Sequence, residues 1–140
     1  MNTFGNLSIK LPTTKNVDET LNFSNNEALT YLNCSNNNLI SLNVSANTAL
    51  TYLNCSNDFS EEVDMQSLAL DSIDISDNLA LSTFNCSGNS LTSIDLTANT
   101  ALTTLNCSEN LLTSFSIPLS ISENDFIENF KNGFGFSRSV

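Results

Sequence analysis

Apolar residues return along this chain at a fixed spacing. From Leu29 they fall at Leu29, Leu32, Cys34, Leu39, Leu42 and Val44, and the same phases begin again at Leu50, Leu81 and Leu102. The period is 21 residues, as LTYLNCSNNNLISLNVSANTA at Leu29 and LSTFNCSGNSLTSIDLTANTA at Leu81 show. A period of this size marks a solenoid, in which one coil cannot bury its apolar side until a neighbour stacks on it. Within a coil the apolar residues alternate with polar ones at two places, which is the strand period of two. Two short strands per coil are therefore predicted. One row runs Leu7–Ile9, Leu32–Cys34, Leu53–Cys55, Phe84–Cys86 and Leu105–Cys107. The other runs Leu21–Phe23, Leu42–Val44, Ile73–Ile75, Ile94–Leu96 and Phe115–Ile117.

Three residues after each strand stands an asparagine. Asn37, Asn89 and Asn110 follow the first row, and Asn26, Asn47, Asn78 and Asn99 follow the second. An amide supplies donors and an acceptor together, so a column of buried amides can pair backbone groups that a tight corner leaves open. Asp58 interrupts the first column, where the repeat itself breaks. Cys55 to Ile75 is twenty residues where the other coils need ten, which puts a ten-residue insertion near Phe59–Leu68. The first coil is longer by about four residues near Pro12–Asn16. Insertions in solenoids leave the stack as loops.

After Ile117 the pattern stops at Pro118. Ser122 to Asp125 resembles a capping box with Asp in the usual Glu place, and Phe126, Ile127 and Phe130 follow at helical spacing, with Gly133 as a stop. A short amphipathic helix closing the open end is expected, because a bare terminal strand invites aggregation. The expected organisation is one domain over residues 1–140, with coils at about 4–28, 29–49, 50–80, 81–101 and 102–117 and a C-terminal cap over 118–140.

The phrase LTYLNCSNNNL follows the form L-x-x-L-x-[LC]-x-x-N-x-L, and over roughly residues 4–117 the chain resembles the leucine-rich repeats. Within that family it is similar to the short Asn- and Ser-rich repeats of bacterial surface and secreted proteins. The resemblance implies a right-handed parallel stack, a partner-binding surface, an extracellular or cell-surface location, and no catalytic residues to carry over. One departure matters. Many of these repeats carry a helix on the outer side, whereas here the outer half reads as a second strand. Strands on both sides share a spacing of about 4.8 Å, so a mainly β solenoid of about five coils, weakly curved and roughly 25 Å long, is expected.

Composition narrows the chemistry. Fifteen acids against four bases leave a net charge of −11, which disfavours nucleic acid. Histidine, the commonest general base and metal ligand, is absent. The first 25 residues show no basic segment followed by an apolar run, and no stretch approaches the ~20 apolar residues a membrane helix needs. A cytoplasmic location is the alternative this leaves open.

The four cysteines share one phase between leucine and asparagine columns, so they read as reduced core thiols. Neighbours in register on parallel strands are poorly set for a disulfide torsion, and a straight column cannot surround zinc. Acids crowd around the insertion. Asp58, Glu61, Glu62 and Asp64 are candidate calcium ligands, with Asp71, Asp74 and Asp77 nearby, although the spacing matches no calcium-loop motif. Glu61 and Glu62 are the one carboxylate pair considered for glycoside hydrolysis, and no aromatic sugar platform accompanies them. The bases Lys10, Lys15, Lys131 and Arg138 lie at the ends, which suggests end-to-end association or merely divergent caps.

Outward positions of the first row are polar and nearly uncharged. Tyr31 and Tyr52 are its aromatics, adjacent in one column, and Asn33, Asn54, Asn85 and Asn106 fill the next. These six are the candidate contacts for a protein or glycan partner. The Thr/Ser/Asn array also suggests an ice-binding lattice, but Asn and Tyr break its threonine columns. The Asn-x-Ser triplets match glycosylation sequons yet arise from the repeat. The expected function is a non-catalytic binding or adhesion module, a monomer without cofactor. The alternatives are an intracellular inhibitor that works by acidic mimicry and a structural spacer.

Overall fold

The computed structural model describes residues 7–10, 20–37, 39–57 and 69–118, with residues 7–10 and 20 described by their backbone path. It is a β-solenoid with parallel strands and, among the described residues, no helix. The strands are β1 (Leu7–Lys10), β2 (Thr20–Asn22), β3 (Leu29–Asn33), β4 (Ser41–Asn43), β5 (Tyr52–Asn54), β6 (Thr83–Asn85), β7 (Ser93–Asp95), β8 (Thr104–Asn106) and β9 (Ser114–Ser116). The first row closes into one five-stranded sheet in the order β1-β3-β5-β6-β8. Equal phases sit opposite one another: Leu32 on Leu53, Leu53 on Phe84, Phe84 on Leu105. Period-two alternation is what makes this stable, since the central residue of each rung is buried and its neighbours face out.

The second row differs from its expected continuity. It forms two separate pairs, β2-β4 and β7-β9, and the predicted strand at Ile73–Ile75 is not a strand. The expected row of five is therefore corrected to two pairs with a gap at coil three. Before this row coil three is tied to coil four at Leu70, whose carbonyl accepts from the Ser90 N–H at 2.9 Å. Its inward side chains still pack, with Leu70 and Ile75 buried and Ile73 partly so. Its backbone does not pair with β4 or β7. Apolar burial, at roughly 25 cal/mol per Å², holds the segment where hydrogen bonds do not.

The core is a set of columns. Leu29, Leu50, Leu81 and Leu102 form one; Leu39, Leu70, Leu91 and Leu112 form another; Val44, Ile75 and Leu96 a third. The cysteines Cys34, Cys55, Cys86 and Cys107 are all free and buried, as their shared phase predicted. The expected N-terminal extension near Pro12–Asn16, the insertion near 59–68 and the capping helix lie outside the described residues.

Two kinds of corner join the rows. After the second row, two four-residue β-turns follow each other, sharing Asn47: the Asn47 N–H donates to Val44 O at 3.0 Å and the Leu50 N–H to Asn47 O at 3.1 Å, and coils three and four repeat this. After the first row the chain passes through the left-handed region at Asn36 (φ 57°), Gly88 (φ 66°) and Glu109 (φ 56°), one phase of the repeat. Gly and Asn suit that region, but a glutamate there works against its Cβ.

Candidate functional site

The continuous sheet sets the six sequence-predicted contact residues side by side. Register aligns Tyr31, Tyr52, Thr83 and Thr104 in one column, and Asn33, Asn54, Asn85 and Asn106 in the next. Strand β1 extends both at the backbone level, with Ser8 opposite Tyr31 and Lys10 opposite Asn33. The tyrosine rings stack, with centroids 4.2 Å apart and planes 8° from parallel. Strand spacing imposes that distance: identical residues on paired parallel strands hold their rings one rung apart. The Tyr52 phenol is raised above its ordinary pKa. Partial burial is the main cause, the Tyr31 hydroxyl and its charge add to it, and Asn54 opposes.

The asparagine column is more committed than its sequence suggests. Asn33 Oδ1 accepts from the Ser35 N–H at 3.1 Å and the Ser35 hydroxyl at 2.8 Å. Asn54 does the same with Ser56, Asn85 with Ser87 and Asn106 with Ser108. Each asparagine thus ends its strand with a side-chain turn that also spends the serine hydroxyl. What these residues can offer a partner is the amide nitrogen. The hydroxyls beside them are tied as well. Thr51 donates to Thr30 O, Ser82 to Thr51 O and Thr103 to Ser82 O, at 3.0–3.2 Å. The face is polar and largely bonded to itself, with Lys10 in its β1 rung as a charged residue, and the tyrosine pair stands out from it.

Beneath this face runs the thiol column. Burial pushes the Cys34 and Cys107 thiols up to about 12. Cys55 and Cys86 lie deeper and are raised well above the ordinary value, first by burial and then by the neighbouring thiols. Cys34 Sγ–H donates to Asn54 O at 3.5 Å and Cys55 Sγ–H to Asn85 O at 3.6 Å. Such thiols stay protonated and unreactive, a packing role.

The opposite side carries the acids. Asp74 and Asp95, 21 residues apart, border a shallow groove of ≈ 390 Å³ together with Ser72, Ser76, Ser93 and Thr97. Each carboxylate accepts the N–H two residues on, from Ser76 at 3.0 Å and Thr97 at 3.0 Å, and those bonds lower both pKa values. They replace the turn-forming Asn43 of coil two, so their first duty is the corner. Of this pair only Asp74 stood among the acids singled out from the sequence, although two aspartates at one phase carry the signal.

The calcium candidates Asp58, Glu61, Glu62 and Asp64 lie outside the described residues. Among the described residues no three His, Cys, Asp or Glu side chains gather as a metal site, and no helix is long and apolar enough to cross a membrane. At the break in the first asparagine column, Asn57 was missed. Its amide donates to Asn89 Oδ1 at 3.0 Å, tying coil three to the column from the position before Asp58.

No family model matches the chain, and no curated protein matches it. Among solved structures the chain is similar to the functional domain of InlJ from Listeria monocytogenes, a domain described as including a cysteine ladder. The identity is 34%, over 68% of this chain and 26% of that one, with a TM-score of 0.42. The chain thus spans about a quarter of the length of that structure.

Proposed function

We propose that this chain is a non-catalytic binding module of the leucine-rich-repeat type, which meets a protein or glycan partner with the face of its five-stranded sheet. One observation carries the reading: Tyr31 and Tyr52 stand stacked on rigid paired strands, in a face otherwise polar and nearly uncharged. Side chains held by a sheet lose little entropy on binding, and tyrosine is a frequent hot spot. The amide nitrogens of Asn33, Asn54, Asn85 and Asn106 surround the pair as directional donors. A bacterial surface location is what the resemblance to such repeats implies. No catalytic role is assigned. Histidine is absent from the chain, and the Asp74 and Asp95 carboxylates are occupied as turn acceptors.

A spacer role is the second reading. Its support is the self-bonding of the serine and threonine hydroxyls, which leaves most of the face with little to gain from a partner. One experiment separates the two. Labelled protein is applied to arrays of extracellular proteins and glycans, beside the Tyr31→Ala, Tyr52→Ala double variant. The binding reading expects a saturable ligand whose affinity falls by about 10- to 100-fold in the variant. A ligand held equally well by the variant refutes the tyrosine face, and no ligand on either array favours the spacer.

A further inference from the structure

The chain has two tyrosines, and they lie against each other. In-register pairing fixes Tyr31 opposite Tyr52, with ring centroids 4.2 Å apart and planes within 8°. Both are half-buried, so the rings keep an open edge to solvent. Competing reductants are withdrawn. There is no tryptophan, and the four thiols are 0–2% exposed. Among the described residues, the tyrosine pair is therefore what a one-electron oxidant reaches first.

We propose that Tyr31 and Tyr52 are an oxidative cross-linking site, joined by a haem peroxidase and hydrogen peroxide into an intramolecular dityrosine that staples the second coil to the third. Each phenol gives up one electron and one proton. The two phenoxyl radicals couple through the ring carbons ortho to oxygen, forming one carbon–carbon bond. The hydrogens on those two carbons leave as the rings regain aromaticity, and the phenolic oxygens take up protons. In sum, two phenols and one hydrogen peroxide yield one biphenol and two waters: the tyrosines lose two electrons and the peroxide gains them. Side-chain rotation about the Cα–Cβ bonds closes the remaining gap, since the strands themselves sit one rung apart. The second ring is held at contact distance, so its effective concentration far exceeds that of another molecule.

The test treats dilute protein with horseradish peroxidase and hydrogen peroxide, beside the Tyr31→Phe and Tyr52→Phe variants and with N-acetyltyrosine amide as an internal check on the oxidant. The expected product is a monomer on a denaturing gel, with biphenol fluorescence, an intact mass lower by two hydrogen atoms, and a cross-linked peptide joining residues 31 and 52. Its yield stays constant on about tenfold dilution, as an intramolecular step requires. Either phenylalanine variant, with its circular dichroism unchanged, loses this product. Covalent dimers whose yield rises with concentration overturn the proposal. So does an unmodified protein in a tube where N-acetyltyrosine amide has coupled.

Discussion

The two corners of the coil solve one problem differently. At the corner after the first row, the amide works in both directions. Asn89 Nδ2 donates to Cys55 O and Cys86 O at 3.0 and 2.9 Å, while its Oδ1 accepts from the Leu70 N–H at 3.1 Å and from Asn57. Asn110 repeats this with Cys86 O, Cys107 O and the Leu91 N–H. At the corner after the second row the amide only donates. Asn47 reaches Phe23 O and Asn26 O, Asn78 reaches Val44 O and Asn47 O, and Asn99 reaches Ile75 O and Asn78 O, all at 2.8–3.1 Å. The Oδ1 atoms of these three are buried with no partner. The first corner joins coils through donor and acceptor alike, and its sheet runs unbroken. The second joins them through donors alone, and its sheet is split. The donor half still bridges coil three, where the backbone ladder is missing.

The largest expected effect comes from the thiol column on the first side. A folded pKa raised above the unfolded 9.0 means that the folded state holds its proton longer. That stability is whole below pH 9.0 and is lost as pH rises from 9.0 toward about 12. Each thiol approaches about 1.4 kcal/mol lost per pH unit within that window. Urea melts between pH 8 and 11 should show the decline, and replacing Cys34 and Cys107 with alanine should make it shallower. A profile unchanged by those replacements would place the alkaline sensitivity elsewhere.

Next comes the comparison of corners itself. Asn89→Ala orphans carbonyls, an N–H and the Asn57 amide together, at about 1–3 kcal/mol for each group left unpaired, so a loss above about 3 kcal/mol is expected. Asn99→Ala takes one donor each from Ile75 O and Asn78 O, which keep the Asn78 and Leu81 N–H, and removes a buried oxygen that had no donor, so it should cost less by about 1 kcal/mol or more. Denaturation midpoints of the pair decide it, and equal losses would erase the distinction.

Smaller is Glu109→Gly at the left-handed position. Relief of about 1–2 kcal/mol of steric cost, against about 0.5–1 kcal/mol of added chain entropy, predicts a gain near 0.5–1 kcal/mol. Gly88 shows that the same phase accepts glycine. Smallest is Asp95→Asn, which keeps the turn acceptor that Asn43 already provides in coil two and should leave the denaturation midpoint nearly unchanged. A larger loss would mean that the carboxylate charge, rather than its geometry, holds the second side together.

The first row was legible in its register, although the strands Tyr52–Asn54, Thr83–Asn85 and Thr104–Asn106 lie one residue before the predicted Leu53–Cys55, Phe84–Cys86 and Leu105–Cys107. Leu32, Leu53, Phe84 and Leu105 could face only one way, since a one-residue slip would expose every leucine. The tyrosine stack followed from that register. The asparagine contacts were legible as positions but not as chemistry, because only the turn geometry shows that Ser35, Ser56, Ser87 and Ser108 consume their oxygens. Counting columns by phase also passed over Asn57, which keeps the backbone phase of Asn36 and Gly88 while its amide reaches Asn89 Oδ1.

What the amino-acid order determined alone was the periodic part: a 21-residue coil, its buried columns and the free thiols among them. Hydrophobic burial is tied to spacing along the chain, and spacing is visible in one dimension. Tertiary structure alone decided where backbone pairing continues and where it stops. Ile73 and Ile75 carry the right pattern for a strand and pack their side chains inward, yet no ladder forms. Hydrogen bonds need a neighbour at one distance and angle, and that depends on how the preceding loop returns the chain to the stack.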